Sequence, residues 1–215
     1  MTAWIGIFAN DGYNEVMSEL IKDFYQDNIV LTGDLVVLRT LEAGDREAIF
    51  HNIYHDREVQ KYYMAPYIEN IENFTLDRMI QSYHDNHFVV LAIIEKKSGQ
   101  VIGMINQYNQ LSTFVHYIET GYAIGSPYWN KGYVTEALKL FMDYCFSKNV
   151  HKVYAGCFPE NPASRRVMEK AGMTYEYTRL KELYYHDRYW DVIYYSKERP
   201  WLRMLFLILT EYWLT

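Results

Sequence analysis

The segment Gly125-Ser-Pro-Tyr-Trp-Asn-Lys-Gly-Tyr-Val-Thr-Glu-Ala137 sets a glycine between an apolar run and an amphipathic stretch. A turn placed between a strand and a helix start points several backbone N–H groups at one spot, where the helix dipole also favours negative charge. That spot suits a phosphate or pyrophosphate. Gly132 permits the backbone conformation and the close approach that this needs. Asn130 tolerates a left-handed conformation, and Lys131 adds positive charge. Asn130, Lys131, Gly132, Tyr133, Val134 and Thr135 are therefore the candidate contacts. A lone glycine turn is ordinary loop punctuation, so the weight rests on its neighbours.

A second stretch, Asn161-Pro-Ala-Ser-Arg-Arg-Val-Met-Glu-Lys-Ala-Gly-Met173, reads as a helix with its punctuation in place. Asn161 is a favoured N-cap, Pro162 fits the first helical position, and Gly172 fits the stop. Local physics accounts for all three. Ser164 falls in the first turn, where a serine is an ordinary helix-start residue, and Met168 has no proton to give.

These stretches need elements to hold them. The strand His116-Tyr-Ile-Glu-Thr-Gly-Tyr-Ala-Ile124 runs into the glycine turn and carries Glu119. Val134, Ala137, Leu138, Phe141, Met142 and Cys145 then recur at helical spacing. Period-two runs predict strands at 35–39, 88–95, 101–108, 116–124, 152–158, 173–180 and 188–196. Helices are expected over 10–28, 45–54, 73–83 and 162–171. Strands that begin as a meander and end in a strand–helix–strand crossover imply an α/β fold with a mixed, mostly antiparallel sheet.

Composition narrows the classes further. Half of the 215 residues are apolar and 22% are charged, the balance of a globular chain. The net charge is -6 without any long run of one sign, so no nucleic-acid partner is expected. Cys145 and Cys157 have neither metal spacing nor a disulfide framework, which suits free thiols in a reducing, cytoplasmic setting, and no metal is expected. The first residues lack the basic and apolar segments of a secretory leader. Residues 201–209 are apolar but short and interrupted by Arg203, so no membrane span is expected. They suit packing on the body or against a second copy in a homodimer.

Taken together, the two motifs resemble the GNAT acetyltransferases, and in particular their ribosomal-protein N-acetyltransferase branch. That branch carries a stretch like Pro-x-Tyr-Trp-Gly-Lys-Gly-Tyr-Ala-Thr-Glu-Ala, which residues 127–137 match at most positions. Here Asn130 replaces a glycine and the bulkier Val134 replaces a small residue. A similar Asn-x-x-Ser stretch follows about thirty residues later in the family, and Asn161 stands 29 residues after Gly132.

The resemblance implies a GNAT-like sheet of six to seven strands with flanking helices over 34–197. Residues 1–33 then form a helical extension and 198–215 an apolar tail. It implies acetyl-CoA as co-substrate, with Tyr122, Ala123 and Ile124 offering backbone groups to the pantetheine arm and Asn161 and Ser164 lying beside it. It implies acetyl transfer to the primary amine of a peptide or small molecule by direct attack. Ser164 is then the donor to the leaving thiolate and Glu119 the base, with Asp191, His116, Glu69 and Glu72 as weaker bases. A non-catalytic acyl-CoA-binding or interaction protein on the same fold is the alternative, favoured by Met168 and Val134.

Overall fold

The computed structural model describes residues 24–25, 28–112 and 115–200. The apolar stretch 201–209 and nearly all of the helix expected over 10–28 lie outside the described residues. Eight strands form one sheet: β1 (Val30–Thr32), β2 (Val36–Thr40), β3 (Val90–Glu95), β4 (Val101–Gln107), β5 (Tyr117–Ile124), β6 (Lys152–Cys157), β7 (Thr174–Tyr185) and β8 (Arg188–Glu198). Their order is β1-β2-β3-β4-β5-β6-β8-β7. β5 and β6 run parallel, and every other neighbouring pair is antiparallel.

Among the described residues, four helices flank the sheet. α1 (Arg46–Ile49) continues directly into a π-helical turn, Phe50–Tyr54. α2 is Leu76–Asp85, α3 is Tyr133–Ser147 and α4 is Pro162–Lys170. The sheet gains one strand over the expected number because Val30–Thr32, ahead of the expected start of the domain, pairs with β2. β7 reaches Tyr185 rather than residue 180, and the helical stretch expected from 73 begins at Leu76 after a 3₁₀ turn.

Side chains alternate between the two faces of the sheet, and each face has its own core. Ile105 and Ile118 point to one side, where α3 supplies Leu138, Phe141 and Met142 and α4 supplies Met168. Met104 and Ala123 point to the other, where Ile49, Ile53 and Leu76 cover them. Sequestering Leu138, Phe141 and Met142, each at most 1% exposed, contributes about 1.5–3 kcal/mol per side chain. β3, Val-Leu-Ala-Ile-Ile-Glu, is buried on both faces over its first four residues, which explains its nearly unbroken apolar run.

Two local devices fix the centre of the sheet and the start of α3. A Cβ built on Gly103 of β4 would lie 2.2 Å from the Ala123 carbonyl oxygen, so only glycine allows β4 and β5 to approach this closely. At the other side, the Glu136 carboxylate accepts the backbone N–H groups of Asp34, Leu35 and Val36 at 2.9, 2.8 and 2.8 Å. The first turn of α3 is thereby tied to the turn between β1 and β2.

Candidate active site

The chain leaves β5 at Gly125, makes a short 3₁₀ turn over Ser126–Tyr128, and reaches α3 through Asn130 (φ 61°) and Gly132 (φ 85°). Both residues are left-handed, as their types allow. A Cβ on Gly132 would meet only Leu35 Cδ1, at 3.5 Å, so backbone conformation rather than space calls for glycine here. Among the described residues, no acceptor meets the backbone N–H groups of Asn130, Lys131, Gly132, Tyr133, Val134 and Thr135. Their N–H groups therefore line the mouth of α3 with unspent donors.

The loop is held from outside. Asp56 accepts the Ser126 N–H at 2.8 Å on one carboxylate oxygen and the Glu58 and Val59 N–H groups at 3.0 and 3.3 Å on the other. Burial works to raise this carboxyl, yet the donors from Ser126, Val59 and Glu58 hold it below the usual carboxylate range. The Trp129 indole donates to the Ile124 carbonyl at 2.9 Å. The Lys131 ammonium lies 5.5 Å from the Tyr128 ring centre, and the Tyr133 hydroxyl donates to Glu95. Val134 is only 9% exposed and faces the core, so its extra bulk is directed away from the loop.

Beside the loop the sheet opens. β5 and β6 pair only from Tyr117↔Lys152 to Thr120↔Ala155, although β5 continues to Ile124 and β6 to Cys157. The ladder bonds Tyr108 N–H to Glu119 C=O and Gly125 N–H to Ile102 C=O fix the phase on the β4 side. Odd-numbered residues of β5 therefore bond to β4, and even-numbered ones turn their backbone groups toward β6. The Tyr122 N–H and C=O thus face the open gap. The Ala123 backbone is turned to β4, and the Ile124 carbonyl is taken by Trp129.

Asn161 caps α4, its Oδ1 accepting the Ser164 N–H at 3.1 Å. Ser164 Oγ lies 3.0 Å from the Tyr122 hydroxyl, which is also 3.2 Å from the Ser164 carbonyl. Burial raises the Tyr122 phenol, with the Ser164 hydrogen bond opposing, so it stays neutral. Cys157 is half-buried beside Ser164, and burial pushes its thiol up to about 11. It is therefore a thiol near neutral pH. Met168 is fully buried in the core.

Glu119 lies on the opposite face of β5 from Tyr122, the α1/α2 side, level with Tyr154 in the register. Burial raises its carboxyl, the charge of Glu182 raises it further, and Arg179 opposes. Arg179 binds Glu182 at 2.6 Å and lies 5.4 and 5.2 Å from the ring centres of Tyr177 and Tyr194, which stack 5.0 Å apart. Among the other bases, Asp191 accepts the Lys181 N–H and Glu69 pairs with Arg57 at 3.6 Å. The arrangement brings Tyr122 and Ser164 together, and β5, which carries Tyr122, runs on into the loop that holds Gly132. Sequence reasoning missed Glu182, Arg179, Asp56 and the side chain of Tyr122, because what they face in the site, Glu119, the Ser126 N–H and Ser164, lies 42 or more residues away along the chain.

Residues 36–174 match the family model of the acetyltransferase (GNAT) domain. An uncharacterised N-acetyltransferase of Bacillus subtilis (strain 168), YnaD, is 39% identical over 80% of this chain and 98% of its own length. A spermidine N(1)-acetyltransferase of Vibrio cholerae is 27% identical over 73% of this chain and 89% of its own. The crystal structure of spermidine N-acetyltransferase from Vibrio cholerae, in complex with CoA and spermine, superimposes with a TM-score of 0.66. That match is at 23% identity, over 78% of this chain and 97% of that one. The extent of these matches, over the very segments that build the loop and the open seam, shows that the chain belongs to the GNAT acetyltransferase family and is an N-acetyltransferase.

Proposed function

We propose that the chain binds acetyl-CoA along the β5/β6 seam and acetylates a small cationic amine that approaches from the α1/α2 face. The carrying observation is the juxtaposition of two sets of unspent backbone groups. One is the N–H cluster from Asn130 to Thr135, and the other is the Tyr122 N–H and C=O in the gap. The first suits a pyrophosphate and the second an extended amide chain, so a molecule carrying both would satisfy both.

The chemistry rests on the same residues. An alkyl amine is mostly protonated near pH 7 and must lose a proton before it attacks. Glu119, its carboxyl raised by burial, is suited to take that proton directly or through water. Ser164 donates to the sulfur as the thiolate leaves. The named spermidine acetyltransferase among the relatives supports a polyamine acceptor.

Two measurements test this reading. Saturating acetyl-CoA should raise the melting temperature by several degrees, since about 2.7 kcal/mol is gained at a hundred times Kd. Thiol release should then be read with a panel pairing spermidine and shorter diamines with peptides that have a free amino terminus. No thermal shift at millimolar acetyl-CoA refutes the binding site. A shift with turnover only on peptides refutes the acceptor class.

A further inference from the structure

Tyr122 offers its backbone to the seam, and its hydroxyl is a separate resource. It is a half-buried phenol, and its partner is the Ser164 side chain on another element, 42 residues away in sequence. Three observations define the contact. The Tyr122 oxygen is 3.0 Å from Ser164 Oγ and 3.2 Å from the Ser164 carbonyl. That carbonyl lies within α4, where it is already an acceptor in the helical ladder. The Cys157 thiol also borders Ser164 and stays protonated at neutral pH.

The single phenol proton has two acceptors in reach, the Ser164 carbonyl at 3.2 Å and Ser164 Oγ at 3.0 Å; of the two hydroxyls the phenol is the better donor, which favours Tyr122 donating and Ser164 Oγ accepting. Once Oγ accepts from the phenol, its own proton is left for another acceptor. A hydroxyl that accepts one hydrogen bond is polarised toward donating the next. Without the phenol, a serine in the first turn of a helix turns its proton to a nearby backbone carbonyl.

We propose that Tyr122 is a positioning residue for the leaving group: its hydroxyl donates to Ser164 Oγ and so aims the serine proton at the sulfur of the departing CoA. The inference rests on the proposed placement of acetyl-CoA in the β5/β6 seam. In the step, the C–N bond forms and the C–S bond breaks, and the sulfur keeps the electron pair. The proton released by the amine nitrogen balances the one finally taken up by the sulfur. Tyr122 and Ser164 lend hydrogen bonds and end the cycle as they began. Tyr122 never becomes a tyrosinate, since its burial disfavours the charged form.

The test is a double-mutant cycle of Tyr122→Phe and Ser164→Ala, with kcat and KM measured for each variant. Tyr122→Phe keeps the ring and removes only the hydroxyl. It should lower kcat about three- to tenfold, the worth of one neutral hydrogen bond, and leave the KM for acetyl-CoA within about twofold. Ser164→Ala should lower kcat about ten- to a thousandfold. On the Ser164→Ala background, Tyr122→Phe should cause no further loss. An equal loss on both backgrounds overturns the proposal, because Tyr122 would then act apart from Ser164. An unchanged kcat in Tyr122→Phe overturns it too, as does loss of the acetyl-CoA-induced thermal shift, which marks a purely structural role. Full activity in Ser164→Ala instead removes the serine from the reaction and the pairing with it, while an intact thermal shift in that variant leaves the binding site standing.

Discussion

Replacing Gly132 by Asn and, separately, by Asp splits backbone strain from charge at the mouth of α3. Gly132 sits at φ 85°, ψ -6°, and a Cβ there meets nothing closer than 3.5 Å. Both substitutions therefore cost only the left-handed conformation, about 1 kcal/mol, because Asn and Asp are the residues that visit it most readily. For a domain of this size that lowers the melting temperature by about 2–4 °C. At this N-cap position a negative charge helps the free protein through the helix dipole, by about 0.3–1 kcal/mol. Toward a pyrophosphate the sign reverses. A unit charge about 6 Å from a phosphate charge, at an effective dielectric of about 20, is repelled by about 3 kcal/mol. Gly132→Asp should thus bind acetyl-CoA roughly a hundredfold more weakly than Gly132→Asn, although its apo form melts no lower. Titration calorimetry with acetyl-CoA and a differential scan of each apo variant provide both numbers. Equal Kd values for the two variants would refute the placement of the pyrophosphate at this helix start.

Glu119→Gln should lower kcat/KM about a hundredfold or more, as expected for loss of a proton-transfer group. It should also stabilise the protein, with a definite pH signature. The native carboxyl titrates above its ordinary value of 4.5, so stability is fully present below that value and falls as pH rises through the native one. The glutamine variant should melt higher than the parent at pH 8 and equally at pH 4; a lower melting point at pH 8 would show that the carboxylate is stabilising. Glu136→Ala strands three backbone N–H donors of the β1–β2 turn and should cost about 2–3 kcal/mol. That corresponds to about 5–10 °C in melting temperature, with Glu136→Gln in between, and an unchanged melting point would mean that water replaces the carboxylate at no cost.

What could be read from the sequence was what neighbours along the chain decide. Asn161, Pro162 and Gly172 bracket α4 because capping is a matter of a few adjacent residues, and the apolar spacing from Val134 to Cys145 locates α3 in the same way. The glycine turn was legible for the same reason, since glycine is the residue that adopts the left-handed conformation seen at Gly132 at least cost. Long-range partnerships were not. Glu136 reads as an ordinary first-turn acid until the β1–β2 turn, 100–102 residues earlier, is brought against it. Tyr122 reads as a strand tyrosine until α4 places Ser164 on its hydroxyl. β1 was invisible because three residues are too few to show a period. The end of β7 was misplaced because Lys181 breaks the extended backbone at φ 52° and the pairing with β8 shifts register between Arg179 and Leu183. The bulk of Val134 reads as an obstacle in a linear motif, but the same residue opens the apolar stripe of α3, and the packing puts it in the core.

The half-closed junction between β5 and β6 also bears on turnover. As a mechanical object the sheet is two rafts, β1 to β5 and β6–β8–β7, laced at four paired positions and crossed over by α3. In the proposed binding mode a ligand laid in the unlaced half supplies the missing stitches, so each catalytic cycle would tighten the rafts on entry and undo the same stitches before CoA departs. The stronger the lacing that holds the thioester in line, the slower the spent carrier leaves. An enzyme built on such a seam therefore sets its speed through the grip of its backbone as much as through the groups that touch the thioester.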